Sequence, residues 1–176
     1  PPEIIELAAD LQVRLKSGGL KLRWAQLQGI HLTLKFLGDI PESQVDDLGS
    51  AMQHAGSGFG VVDLAAQGMG VFPGIKRPRV LWLGIGGETE RLAPFRARLD
   101  AELEQIGIAG EKRPFRAHLT LARAKVAVSA RLLLETMQTQ GQYEARPFQA
   151  RQMVLYQSDL RPQGAVYTAR AKVNLA

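Results

Sequence analysis

The chain has no cysteine. That excludes disulfides, thiolate metal sites and a cysteine nucleophile, and it fits a reducing compartment such as the cytoplasm. No apolar run approaches ~18 residues, so nothing reads as a membrane span. No basic–apolar–small leader opens the chain. It begins at Pro1 without methionine, and a preceding N-terminal piece is expected. Aromatic residues are scarce, at 6%. The glycine-rich stretches GSGFG (56–60) and GIGGET (84–89) do not fit the G-x-x-x-x-G-K-[ST] pattern of a triphosphate loop. Ser158 and Asp159 follow a strand, but nothing links Ser158 to a histidine, which argues against a serine hydrolase. Histidine is scarce too, with three in 176. No Asp, Glu or Cys stands beside the two that matter at metal-ligand spacing, so a zinc site is a poor reading.

What is present is a core and a modest positive charge. The chain is 45% hydrophobic, enough for one folded unit or two tightly joined lobes. Its 22 Lys and Arg against 17 Asp and Glu give a net charge of +5. A basic excess favours an anionic partner such as a phosphate ester or RNA. Arginine recurs at Arg113, Arg116 and Arg123, and guanidinium matches phosphate geometry better than ammonium does. The run KRPRV (76–80) reads as a solvated turn, and Trp24 and Trp82 read as core.

Periodicity predicts helices over 1–16, 41–55, 89–107 and 129–140. Ser129 is placed to cap the last. Strands are predicted over 30–37, 61–72, 79–86, 118–124, 150–160 and 165–175. The order strand, helix, strand, turn, strand fills 31–86 and again 118–175. This weak duplication predicts an α+β fold over residues 1–176: two pseudo-symmetric lobes, each an antiparallel sheet with helices on its outer face, and a groove between them. The same four residues, HLTL, open both halves, at 31–34 and 118–121.

In a strand, His31 and Thr33 point one way and Leu32 and Leu34 the other; the same holds for His118 and Thr120 against Leu119 and Leu121. The leucines are expected to bury, one HLTL strand in each lobe, with the His/Thr faces turned to the groove. Two imidazoles suit acid–base chemistry near neutral pH. Threonine hydroxyls and an arginine suit a phosphoryl group that gathers charge. Displacement at phosphorus needs a base for the attacking oxygen and an acid for the leaving one, and two histidines supply both. The third histidine, His54, lies in a helix tail and reads as surface.

The stretches HLTLKFLGDI, RPRVLWLGI, RPFRAHLTLAR, VLYQSDL and GAVYT together resemble the two-histidine (2H) phosphoesterases. Within them the chain is similar to the RNA 2′,3′-cyclic phosphodiesterases, also called 2′-5′ RNA ligases. The resemblance implies metal-independent and ATP-independent hydrolysis of a 2′,3′-cyclic phosphate at an RNA or nucleotide end, giving a 2′-phosphate, with reverse 2′-5′ ligation. It implies no cofactor, no metal and no membrane, and a monomer in the cytoplasm. By motif position His31 and His118 carry over as the acid/base pair, Thr33 and Thr120 as phosphate donors, Arg123 as a phosphate contact and Phe36 as a base-stacking residue. The acid and base assignments remain open between the two histidines. Both Phe36 and Arg123 follow their histidine by five, an odd offset that strict alternation places on the leucine face. Only a bend or bulge brings either to the groove. Members of the family usually carry a strand of the kind LFVAL just before PPE. Two other functions stay open: a sibling acting on small nucleotides, and a non-catalytic RNA-binding module.

Overall fold

The computed structural model describes every residue except Lys112, Gln163 and Ala176. The chain divides into two units, each assembled from three separate stretches. Unit 1 takes Pro1–Leu32, Ala65–Gly86 and Ala117–Phe148; unit 2 takes Thr33–Leu64, Gly87–Arg116 and Gln149–Ala176.

Unit 1 begins with α1 (Pro2–Ser17), which buries Ile4, Leu7, Ala8, Leu11 and Leu15 along one face. Pro2 sits in the first turn, where its missing N–H is no loss. Gly19, at a φ of +84°, turns the chain out. Most of a five-stranded sheet lies in this unit, made of β1 (Arg23–Trp24), β2 (Val62–Phe72), β3 (Val80–Gly87), β4 (His118–Arg123) and β5 (Arg146–Ala150). They lie in the order β1-β4-β3-β2-β5, with β4 antiparallel to both β1 and β3. Helix α4 (Ala130–Gln140) starts at Ser129, whose hydroxyl accepts the Leu132 N–H as expected of a cap. One core joins the helices to the sheet, built on Leu7, Leu11, Leu83, Leu119, Leu121 and Leu133. Near its rim, half-buried Tyr143 donates to the Gly68 carbonyl at 2.6 Å, and burial pushes its phenol up to about 12.

Unit 2 packs α2 (Val45–Gly56) and α3 (Leu92–Gln105) with the antiparallel hairpin of β6 (Gln152–Arg161) and β7 (Gly164–Asn174). Leu48, Met52, Phe95, Leu99, Leu103, Met153 and Val173 form its core. The Glu42 carboxylate takes both ends of the Arg170 guanidinium, and those hydrogen bonds hold its carboxyl below the usual value. Among the described residues no helix is long and apolar enough to cross a membrane.

The fold is α+β, with helices packed on each unit's strands, and most of the expected elements are present. Three differences matter. First, the strand expected over 30–37 is a single bridge, Leu32 to Leu119. Past it the chain enters unit 2, where Leu34, Leu37 and Ile40 pack on the second core. Their spacing of three is not a strand's. The buried Lys35 ammonium, paired with Asp100 and bonded to the Ala109 carbonyl, holds the segment there. Second, β1 and β5 were not foreseen. Third, the two HLTL segments do not go to one unit each. His31 and Leu32 lie in unit 1 with the whole second motif, and the unit limit falls between Leu32 and Thr33.

Candidate active site

Strand β4 carries the second motif. Leu119 and Leu121 are buried, while His118 and Thr120 are partly exposed on the opposite face. The first motif meets it at the antiparallel bridge between Leu32 and Leu119. Antiparallel pairing about that bridge puts His31 beside Thr120 on the face away from the core. The duplicated tetrapeptides therefore become neighbours in one sheet, joined through their first leucines.

His31 has a defined tautomer. Its Nδ1 lies 2.8 Å from the Gly29 carbonyl. A carbonyl only accepts, so Nδ1 carries the proton in this contact. The residues Leu27–Gly29 form a single 3-10 turn that returns the chain to β4 after β1, and this turn presents the Gly29 oxygen.

His118 stands against an aromatic wall. Its ring meets Phe72 edge-on at 4.9 Å between centroids and lies 6.2 Å from Trp82. Phe72 and Trp82 themselves are 5.0 Å apart. Two glycines make the wall possible. A Cβ on Gly70 would come within 2.3 Å of the Trp82 indole, and one on Gly84, the residue paired with His118, within 2.4 Å of the Gln67 carbonyl. Trp82 is thus not a core residue of unit 1, contrary to the sequence reading; Leu81 and Leu83 on either side of it are. Strand alternation in VLWLG held this signal, since a tryptophan between two core leucines faces away from them.

Arg123 reaches the histidine face through a bulge. Along β3 one step, Leu81 to Trp82, matches two steps on β4, Ala122 to Thr120. Leu121 is the extra residue. Leu119, Leu121 and Ala122 all bury, and Arg123 becomes exposed on the side of His118 and Thr120. The bulge is clamped from α1. The Gln12 amide, 5% exposed, donates to the Leu121 carbonyl at 3.1 Å and to the Ala25 carbonyl at 2.9 Å. The Ala25 N–H donates to the same Leu121 oxygen at 2.9 Å.

Thr33 and Phe36 belong to unit 2 and are exposed, Phe36 at 79%. Unit 1 thus gathers His31, His118, Thr120 and Arg123. His54 is on the surface near Glu102, at 3.6 Å. Among the described residues no three His, Cys, Asp or Glu converge as metal ligands. An open depression of about 340 Å³ between α2 and β7 holds neither motif histidine. Its Arg170 is engaged by Glu42, and it has no acid–base pair.

An α+β chain that sets two His-x-Thr segments side by side, with an arginine on the same face, is built as a two-histidine phosphoesterase. The comparisons make this specific. Residues 1–82 and 84–167 match the family described as LigT like Phosphoesterase, and the chain belongs to that family of enzymes. It is 30% identical to the RNA 2′,3′-cyclic phosphodiesterase of Aeropyrum pernix, over 96% of this chain and 94% of that one. It is 32% identical to the Aquifex aeolicus protein of the same name, over 83% and 78%. Its fold is similar to that of TT0787 of Thermus thermophilus, with a TM-score of 0.81 at 24% identity over 99% and 93% of the two chains. It is also similar to E. coli LigT complexed with 3′-AMP, with a TM-score of 0.70 at 21% identity over 97% and 92%.

Proposed function

We propose that this enzyme hydrolyses 2′,3′-cyclic phosphates at RNA or nucleotide ends to 2′-phosphates, using two histidines and no metal. The observation that carries the reading is the bridge between Leu32 and Leu119, which makes neighbours of the two motifs. The names of its curated relatives support the substrate.

In the step we infer, water attacks phosphorus in line with O3′. His118 takes the water proton. The P–O3′ bond breaks, and His31 delivers a proton from Nε2 to O3′, leaving a 3′-hydroxyl and a 2′-phosphate. Hydrogen bonding of Nδ1 to Gly29 keeps the His31 ring fixed while Nε2 changes state. The Phe72 and Trp82 rings limit the swing of His118. Thr33 and Thr120 donate to the phosphoryl oxygens, and Arg123 offsets their charge. Phe36 offers a face for the base. With a 5′-hydroxyl in place of water as the attacking group, the same displacement forms a 2′-5′ linkage: His118 takes the hydroxyl proton, the P–O3′ bond breaks and His31 protonates O3′.

The test is an oligonucleotide ending in a 2′,3′-cyclic phosphate, incubated in excess EDTA with the wild type, His31→Ala and His118→Ala. Phosphate position is read by phosphorus NMR. A 2′-phosphate from the wild type alone, with both variants folded and slowed at least about 100-fold, is the expected result. Turnover that needs an added metal, or that survives both substitutions, overturns the mechanism.

A further inference from the structure

Strand β2 breaks its alternation near the candidate site. Ala66 and Met69 both pack into the unit 1 core, although an offset of three puts residues of a regular strand on opposite faces. The break is at Gly68, whose φ of +70° is open to glycine and strained for other residues. The Tyr143 phenol donates to the Gly68 carbonyl and holds the irregularity in place. With Ala66 turned inwards, Gln67 turns to the other face, and there it is exposed. That is the histidine face. Trp82, Gly84 and Gly86 share it by alternation along β3, and a Cβ on Gly86 would collide with the Gln67 amide. Gly84, which pairs with His118, leaves room for the Gln67 carbonyl.

The glutamine side chain therefore lies flat over Gly86. From His118 that is one strand across and two residues along, roughly 8 Å by strand geometry. The face has a direction. Thr120 and Arg123 lie on one side of His118, paired with Trp82 and Val80, and Gly86 with the amide above it lies on the other. A phosphate held by Thr120 and Arg123 leaves the amide within the reach of one nucleoside. In a 2′,3′-cyclic phosphate both ribose hydroxyls are bonded to phosphorus, so the hydrogen-bonding groups within that reach are those of the base. A carboxamide suits them. It sets an acceptor and a donor side by side, as base edges do, and it carries no charge to hold a second phosphate.

We propose that Gln67 is a specificity-determining residue, which reads the edge of the base on the nucleotide that carries the cyclic phosphate. Adenine is the base it matches in two bonds: the amide oxygen accepts from the N6 amine and the amide nitrogen donates to N7. The proposal rests on the cyclic phosphodiesterase reading above for the position of the reacting phosphate. It adds a residue of β2 and a base preference.

A binding experiment tests this without turnover. The probes are adenosine 2′-phosphate and purine riboside 2′-phosphate, which differ only in the N6 amine and offer the same ring system for stacking. The wild type is expected to bind the adenosine compound about three- to tenfold more tightly, the worth of one neutral hydrogen bond. Gln67→Leu should bind the two alike. Gln67→Glu keeps an acceptor for the amine, so it should still prefer the adenosine compound while its charge weakens both. The melting temperature of each variant should lie within about 2 °C of the wild type, because the side chain is exposed. A wild type that does not distinguish the probes, or binds neither, overturns the proposal, and so does a Gln67→Leu variant that keeps the preference. Failure to hydrolyse any cyclic phosphate would count against the phosphodiesterase reading, and the probe comparison would still decide the role of Gln67.

Discussion

Replacing Gln12 by methionine keeps the length of the side chain and removes only its amide. The position is 5% exposed, so water does not replace what is lost. Two hydrogen bonds disappear, to the Leu121 and Ala25 carbonyls. The Leu121 oxygen keeps the Ala25 N–H. The other acceptor loses a partner. At about 1 kcal/mol for each bond, partly offset by burying a thioether in place of an amide, the net loss is roughly 1–2 kcal/mol. For a chain of this size that lowers Tm by roughly 2–8 °C. The functional consequence is the sharper test. Without the clamp the bulge is free to slip, and slippage returns Arg123 to the leucine side of β4, where a guanidinium does not fit. Losing one charge-assisted contact costs about 1.5–3 kcal/mol, or roughly 10–100-fold in kcat/KM. Thermal unfolding followed by circular dichroism reads the first effect, and hydrolysis of a cyclic-phosphate oligonucleotide reads the second. A cycle with Arg123→Gln decides the coupling: if Gln12 acts through Arg123, the double variant is little worse than Arg123→Gln alone. Full additivity of the two losses, or an unchanged kcat/KM in Gln12→Met, refutes the reasoning.

Other expectations concern stability. Tyr143 keeps its proton to about pH 12, against an ordinary value of 10.0. Between these values the unfolded chain releases a proton that the folded chain holds, so stability is intact below pH 10 and falls as pH rises towards 12. Urea unfolding at pH 9 and pH 11 should show a steeper loss in the wild type than in Tyr143→Phe; equal slopes would contradict this. Lys35→Met removes the partner of Asp100 Oδ1, a carboxylate 16% exposed, and leaves it the distant Arg96 guanidinium at 3.9 Å and the Glu111 N–H at 3.5 Å. Breaking this pair should cost about 3 kcal/mol, read as a lower urea midpoint at unchanged m; a shift below about 1 kcal/mol would show the pair to be dispensable.

The four helices were legible because Leu7, Leu11, Leu99 and Leu103 recur at helical spacing and cover one core each. β2, β3, β6 and β7 were legible from apolar runs bounded by Gly and Pro. The segment 30–37 misled because HLTL alternates like a strand, while Leu34, Leu37 and Ile40 answer to a different core three residues at a time. The candidate pair, His31 and His118, was visible through repetition alone. Arg123 looked misplaced by parity, because a bulge leaves no mark in local sequence. It depends on Gln12, 109 residues away from the carbonyl it holds. Trp82's outward face was present in the alternation of VLWLG; what local sequence did not mark is the glycine on the neighbouring strand, Gly70, which makes room for its indole.

Unit 1 is woven from three stretches, the last ending at Phe148. On a ribosome this imposes a wait. Helix α1 leaves the exit tunnel long before β3 and β4, with a leucine face whose partners on those strands have not been made. At about 5–20 residues per second, Gln12 precedes Leu121 by roughly 5–20 s. For that interval the nascent chain displays an amphipathic helix with nowhere to dock, a natural handle for a chaperone that binds apolar segments. Unit 1 has all its parts only once Phe148 is made, and unit 2 only once the stretch that starts at Gln149 follows.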